Sequence, residues 1–263
     1  MKAMKLFVTG LILLAACSSQ ACARGNGITQ EFHQSYPLSS GGKVRLNNIN
    51  GGVEIRVWDK NEVKVDAVKH ADDEAMMDQL QIEVNPSSGL VDIDTKYPDN
   101  TNTHNEEGPW VEYTLTVPKE ANLDKIKTIN GNIEISGIAG ELNATTVNGA
   151  VDASGITEDC RLETVNGNVK AEFALLKSGS KAKLKAVNGS ITIDIPTSVG
   201  AAVKARTVSG HITNDFGLAS SRDERAVVKV GDSVDGQIGD GKASLELETV
   251  NGNIRILKPG DGK

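Results

Sequence analysis

A branched aliphatic residue followed by Asn-Gly recurs along this chain: Ile49-Asn50-Gly51, Ile129-Asn130-Gly131, Val147-Asn148-Gly149, Val165-Asn166-Gly167, Val187-Asn188-Gly189 and Val250-Asn251-Gly252, with Val208-Ser209-Gly210 as a variant. From Gly131 onward these glycines are 18, 18, 22, 21 and 42 residues apart, and Gly231 divides the last step into 21 and 21. A repeating unit of about 20 residues cannot bury its own apolar face, so neighbouring units must stack to supply the core. Function is then to be sought on a long regular surface rather than in one cleft.

After each Asn-Gly the residues alternate with period two, as in Asn132-Ile133-Glu134-Ile135, Ser190-Ile191-Thr192-Ile193 and Asn253-Ile254-Arg255-Ile256. Each reads as a short strand with one buried face. Before the motif the alternation has the opposite parity: Leu142, Ala144 and Thr146 precede Val147, and Leu245, Leu247 and Thr249 precede Val250. A one-residue slip would turn every side chain to the wrong face of a continuous strand, so the chain must bend between Thr and Val. Two architectures satisfy this pattern. In a β-solenoid each period is one coil, paired in parallel with the next at about 4.8 Å. In an antiparallel meander each Asn-Gly is a type I′ hairpin turn. Recurrence of identical residues favours the solenoid, because equivalent side chains then stack, with asparagine amides bonded one above another. The turn ladder would comprise Asn50, Gly51, Asn130, Gly131, Asn148, Gly149, Asn166, Gly167, Asn188, Gly189, Asn251 and Gly252.

The first half is less regular. Val53-Glu54-Ile55-Arg56-Val57, Val63-Lys64-Val65 and Val111 through Val117 alternate, and the 80 residues from Gly51 to Gly131 have room for four further coils. Asp72 to Leu80 reads as a short helix capped by Asp72 or Asp73, with Met76, Met77 and Leu80 facing inward. Pro98 to Gly108 is a polar loop.

The N-terminus carries Lys2, Lys5 and an apolar run from Leu6 to Ala16, too short for a spanning helix but built like a secretory signal. Leu14-Ala15-Ala16-Cys17 resembles a bacterial lipobox, which implies cleavage before Cys17 and lipid on its thiol. Ala21-Cys22-Ala23 is an alternative cleavage site that would release a soluble protein from Arg24. Ser18 stands where an inner-membrane retention signal has aspartate, so the expectation is an outer-membrane lipoprotein, facing the periplasm or the surface. With Cys17 acylated, Cys22 and Cys160 remain, either paired or, for Cys160, buried as a small apolar residue. The layout is a signal peptide (1–16), a lipidated tether (17–31), an irregular N-terminal β part (32–125), regular repeats (126–258) and a tail (259–263).

The segments "NGGVEIRVWDKNEVKVDAVK", "VEYTLTVPKEANL", "TINGNIEISG", "TVNGNV" and "GQIGDGKASLELETVNGNIRI" together resemble the bacterial putative-adhesin family of β-helical envelope domains, over about Phe32 to Leu257. The resemblance implies an all-β, right-handed, single-stranded parallel β-helix with about 20 residues per coil, and it brings no catalytic residues.

Chemistry is sparse in the sequence. A β-helix also hosts polysaccharide lyases and hydrolases, and Glu134 and Asp152 occupy equivalent positions of adjacent units, but burial tendencies favour a solvated strand face for them. His33, His70, His104 and His211 lack metal-ligand spacing. Gly231-Asp232-Ser233-Val234-Asp235-Gly236 misses the nucleophile-elbow spacing by one residue. Asp232, Asp235 and Asp240 match no calcium repeat and read as turn residues. Tyr36, Trp58, Tyr97, Trp110 and Tyr113 all precede residue 114, so any aromatic sugar platform belongs to the N-terminal half. A formal net charge of −7 repels a phosphate backbone, so nucleic acid is not an expected partner. The sequence therefore predicts a non-enzymatic exported lipoprotein without cofactor or metal. It would be tethered to the membrane by its lipid and present the solenoid face to an envelope protein or polysaccharide. A glycan-cleaving enzyme and an envelope-stress accessory are the competing readings.

Overall fold

The computed structural model describes residues 27–97, 108–198, 200–221 and 231–259. The signal peptide, Cys17, Cys22, His104, most of the polar loop and the tail from Gly260 lie outside the described residues. From the N-terminus the elements are β1 (Ile28–Pro37), β2 (Lys43–Asn47), β3 (Val53–Trp58), β4 (Glu62–Ala71), α1 (Glu74–Gln79), β5 (Gln81–Ser87), β6 (Leu90–Lys96) and β7 (Trp110–Pro118). The repeats follow as pairs: β8 (Asn122–Lys127) with β9 (Ile133–Ser136), β10 (Leu142–Thr145) with β11 (Val151–Ile156), β12 (Cys160–Asn166) with β13 (Val169–Phe173), and β14 (Lys181–Asn188) with β15 (Ile191–Asp194). Then come β16 (Ala201–Ser209), β17 (Ile212–Asn214), β18 (Ser220–Ser221), β19 (Asp232–Ile238), β20 (Ala243–Asn251) and β21 (Ile254–Leu257).

These strands form two sheets, and each Asn-Gly corner carries the chain from one to the other. The first sheet has the order β1-β4-β7-β3-β9-β11-β13-β15-β21-β17; the second runs β18-β19-β16-β20-β14-β12-β10-β8-β2-β6-β5. Through the repeats the pairing is parallel. Ile133, Val151, Val169 and Ile191 share one column of the first sheet. Leu123, Leu142, Cys160 and Ala182 share a column of the second, beside Ile126, Ala144, Leu162 and Leu184. Every one of these side chains is buried, so the core is a stack of aliphatic columns from two facing sheets. Cys160 takes a place in such a column, and burial pushes its thiol up to about 12. It is a free thiol; a bridge to Cys22 concerns a residue outside the description.

No non-glycine residue among those described has positive φ. A type I′ turn needs positive φ at both central positions, so the Asn-Gly pairs are not hairpin turns and the meander alternative falls. The glycines are required for another reason. A Cβ on Gly149 would lie 2.0 Å from the Gly131 carbonyl oxygen, and one on Gly189 would lie 1.7 Å from that of Gly167. Successive corners stack backbone on backbone, with no room for a methyl group.

The order of stacking differs from the order of sequence at both ends. The glycine spacing predicts that the corners at Gly189, Gly210, Gly231 and Gly252 follow one another. Instead β20 lies between β14 and β16, and β21 between β15 and β17. Gly231 begins no coil: β19 runs antiparallel to β16, so its spacing of 21 is coincidental. Nor do four coils fill the stretch from Gly51 to Gly131. Strand β3 pairs directly with β9, one parallel layer (β6 and β7) lies on its far side, and β4, β1 and β5 close that end antiparallel. The physical reason is common to both ends: a parallel stack has open strand edges, and antiparallel excursions cover them. Strand β1 starts at Ile28, so the N-terminal β part begins four residues earlier than Phe32. Helix α1 is capped by Asp73, whose carboxylate accepts from the Met76 amide at 2.7 Å; Met77 and Leu80 are buried, while Met76 is only half-buried.

Gly149→Ala should therefore lower unfolding free energy by about 1–3 kcal/mol in urea titrations, the usual cost of overpacking. Gly89→Ala is the control: its φ is +78° with nothing within 4 Å of the added carbon, so only the backbone cost of about 1–2 kcal/mol applies.

Candidate partner-binding corner

Each corner is a fixed sequence of inward and outward residues. In the unit Thr164-Val165-Asn166-Gly167-Asn168-Val169, Thr164 and Val169 point into the core and the four residues between face out or lie at the rim. The phase slip thus turns the motif's aliphatic residue to solvent. Val208 is 49% exposed, Val250 40%, Val187 39%, Val165 38% and Ile49 36%, with Ile129 and Val147 half-buried between them. Seven aliphatic side chains line one corner of the stack over about 29 Å at the strand spacing. Single exposed valines are ordinary, whereas an aligned row of them is not.

Beside this stripe runs a row of amides. Asn130 Nδ2 donates to Asn50 Oδ1 at 2.7 Å, Asn148 to Asn130 at 2.8 Å, Asn166 to Asn148 at 2.7 Å, Asn188 to Asn166 at 2.9 Å and Asn251 to Asn188 at 2.8 Å. Ser209 takes the next position, in register with Asn251. The paired glycines are tied in too: the Gly131 amide donates to the Asn148 carbonyl and the Gly149 amide to that of Asn166, each at 2.9 Å. All twelve residues of the expected turn ladder stand along this one corner.

Two further rows escaped sequence reasoning. Where a buried threonine precedes the aliphatic residue, it donates Oγ1 to a corner carbonyl of the adjacent layer: Thr146 to Gly131, Thr164 to Gly149, Thr249 to Gly189 and Thr207 to Gly252, all within 2.8–2.9 Å. The signal was the Thr-Val-Asn-Gly tetrad, whose threonine reads from sequence only as the last inward residue before the bend. The asparagine after the glycine forms the other row, with Asn132, Asn168 and Asn253 accepting from the amides of Ala150, Ser190 and His211 at 2.8–2.9 Å. In the first corner the buried Asn48 replaces threonine, donating to the Val111 carbonyl at 3.0 Å and accepting from the Tyr97 hydroxyl at 2.8 Å.

The other candidates are dispersed. Glu134 is in register with Glu54 on one side and Asp152 on the other, on the open face of the first sheet. The second sheet bears an open groove of about 740 Å³ across β2, β8, β10 and β12, within which Arg45 Nε lies 2.6 Å from Asp124 and Arg161 lies 2.8 Å from Glu163. Tyr113 is buried with its hydroxyl 2.7 Å from Thr95 Oγ1, and Trp58 donates its indole N–H to the Glu62 carbonyl at 2.8 Å, so both serve the scaffold. Trp110 stacks on His70 with ring centroids 4.4 Å apart. Among the described residues no group of three or more His, Cys, Asp or Glu is placed to hold a metal ion, and no helix is long and apolar enough to cross a membrane.

The architecture defines the class: an all-β chain of two open sheets joined at glycine corners. The chain belongs to the Toastrack DUF4097 family, whose signature matches residues 28–257. Among solved structures it is similar to a putative cell adhesion protein from Clostridium sporogenes, at 15% identity over 87% of this chain and 100% of that one, with a TM-score of 0.52. A putative adhesin from Bacteroides fragilis aligns at 12% identity over 87% of this chain and 97% of that one, with a TM-score of 0.44. The first likeness is one of fold. No curated protein matches the chain.

Two substitutions test the rows. Ala186 occupies the threonine position between Thr164 and Thr249, opposite the Gly167 corner. Ala186→Thr should supply the missing hydroxyl and raise stability by about 0.5–1.5 kcal/mol in denaturant titration. Asn148→Asp keeps the bond from Asn166 but, once ionised, has no donor for Asn130 and sets a carboxylate against its oxygen. Only the protonated carboxyl restores the bond, so its folded pKa should rise above the ordinary value of about 3.9. A raised folded pKa means stabilisation complete below the unfolded value and lost as pH rises through the folded one. The variant should trail wild type by about 1–3 kcal/mol at pH 7 and close the gap toward pH 4.

Proposed function

We propose that this chain is an exported envelope lipoprotein, acylated at Cys17 and anchored in the outer membrane, whose stacked corner is a non-enzymatic binding surface for an extended polysaccharide or protein partner. The scaffold of this reading is a right-handed parallel β-helix with coils of about 20 residues. Parallel registers between layers and ladder steps of 18, 18 and 22 residues support it. The observation that carries the reading is the aligned stripe of exposed Ile and Val beside the amide row. Such a surface offers the same small apolar and amide contact at every layer. Contacts too weak to hold alone add up along a polymer once the first is made, because each later one forms at high effective concentration. The lipid would hold the surface at the membrane, several acyl chains anchoring where one binds reversibly.

The test is co-elution of the purified protein with a panel of envelope polysaccharides and with detergent-solubilised envelope, comparing wild type with Val165→Lys/Val187→Lys/Val250→Lys. These side chains are at least 38% exposed, so the triple variant should keep its unfolding midpoint. It should lose co-elution while wild type retains it. Binding that survives the triple substitution removes the stripe from the reading, and polymer that shortens with time overturns the non-enzymatic assignment.

A further inference from the structure

The four strand edges of the two sheets are not treated alike. Strand β17 has three residues and β5 carries Pro86, devices that blunt an edge against further pairing. Strand β1 is the exception. It runs ten residues, pairs β4 antiparallel at every position from Ile28 to Pro37, and has proline only at its last residue. Among the described residues no strand pairs its other edge. Ile28, Phe32 and Tyr36 are half-buried at intervals of four, and Phe32 and Tyr36 pack against the core margin, leaving apolar surface at the open end of the sheet.

The sequence of β1 is self-complementary about Phe32. Laid antiparallel against a second copy with Phe32 opposite Phe32, it sets Glu31 opposite His33, Gln30 opposite Gln34, Thr29 opposite Ser35 and Ile28 opposite Tyr36. Aromatic, opposite-charge and amide cross-strand pairs are those that stabilise antiparallel sheets. Shifting by two residues in one direction sets Glu31 against Glu31, and in the other His33 against His33; shifting by one turns the apolar face outward. Of these registers, only the one centred on Phe32 sets Glu31 opposite His33. His33 already lies 2.7 Å from Asp66 and 3.1 Å from Glu31, both of which hold its pKa above the usual value and favour the imidazolium.

We propose that β1 is a homodimerisation edge, two copies joining antiparallel across a two-fold axis at Phe32 to make one continuous sheet from their first sheets. This interface is separate from the corner stripe, so it stands or falls independently of the binding function. It adds a strand to a ready edge, the mode by which backbone bonds give affinity and alternate side chains set the register.

The experiment is sedimentation equilibrium of the full chain carrying Cys17→Ser and Cys22→Ser, over a concentration series, alone and with Phe32→Lys. A dimer that Phe32→Lys converts to monomer with unchanged circular dichroism supports the proposal. A parent chain that is monomeric throughout overturns it. Register is read separately by one added cysteine in the same background, whose remaining Cys160 is buried: Phe32→Cys should cross-link to itself under mild oxidation, and Gln30→Cys should not, since position 30 faces position 34. Equal cross-linking at both positions overturns the two-fold at Phe32.

Discussion

The close approach of successive corner glycines is the constraint on which everything else in this structure rests. With a Cβ excluded at about 2 Å from the carbonyl below, the backbone of each layer sits directly on the next. That contact sets the vertical registration of the rows around it: threonine hydroxyls beneath the corner carbonyls, asparagine amides beside one another, aliphatic columns within. Each such bond adds little alone. Their alignment comes from one steric fact repeated layer by layer, and a single side chain at a corner would displace all the rows together.

The same regularity creates the problem that the ends solve. Layers that pair so readily with one another would pair with anything presenting the same spacing, and parallel edges left open invite it. The two ends answer in the same way. The chain overshoots, turns antiparallel, and comes back, so that β7 lies inside β4 and β21 inside β17. The final strands of the described chain consequently lie between two layers rather than on an outer edge. The core cannot close until they arrive, which makes the assembly of β14 and β16 into one sheet a late and non-local event.

What the sequence made legible was whatever depends on local period. Alternation on either side of the motif located the strands, and the slip between Thr146 and Val147 located the corner. Identity of the repeated asparagines pointed to a row of amides. The order of layers at the ends was hidden, because Gly231 and Gly252 look alike to a count of residues and differ only in what the chain does beyond them. The span from Gly51 to Gly131 fits four coils in length, yet length carries no information about strand direction. The outward turn of the aliphatic residue was implicit in the parity change, but hydrophobicity alone assigns Val165 and Val187 to the core. The threonine row was hidden by chemistry, since a buried hydroxyl aimed at a carbonyl looks, in sequence, like any strand threonine.

The amide row has a direction. Every Nδ2 points toward the Asn50 end and every Oδ1 toward the Asn251 end, with Asn50 itself donating to the Pro109 carbonyl at 3.2 Å. Side-chain dipoles so aligned add head to tail as peptide dipoles do in a helix, leaving partial positive charge at one end of the corner and partial negative charge at the other. A surface whose layers repeat almost identically would otherwise have no top or bottom to a molecule lying along it. The polarised row gives it one, so an elongated guest with unlike ends is seated in one orientation rather than two.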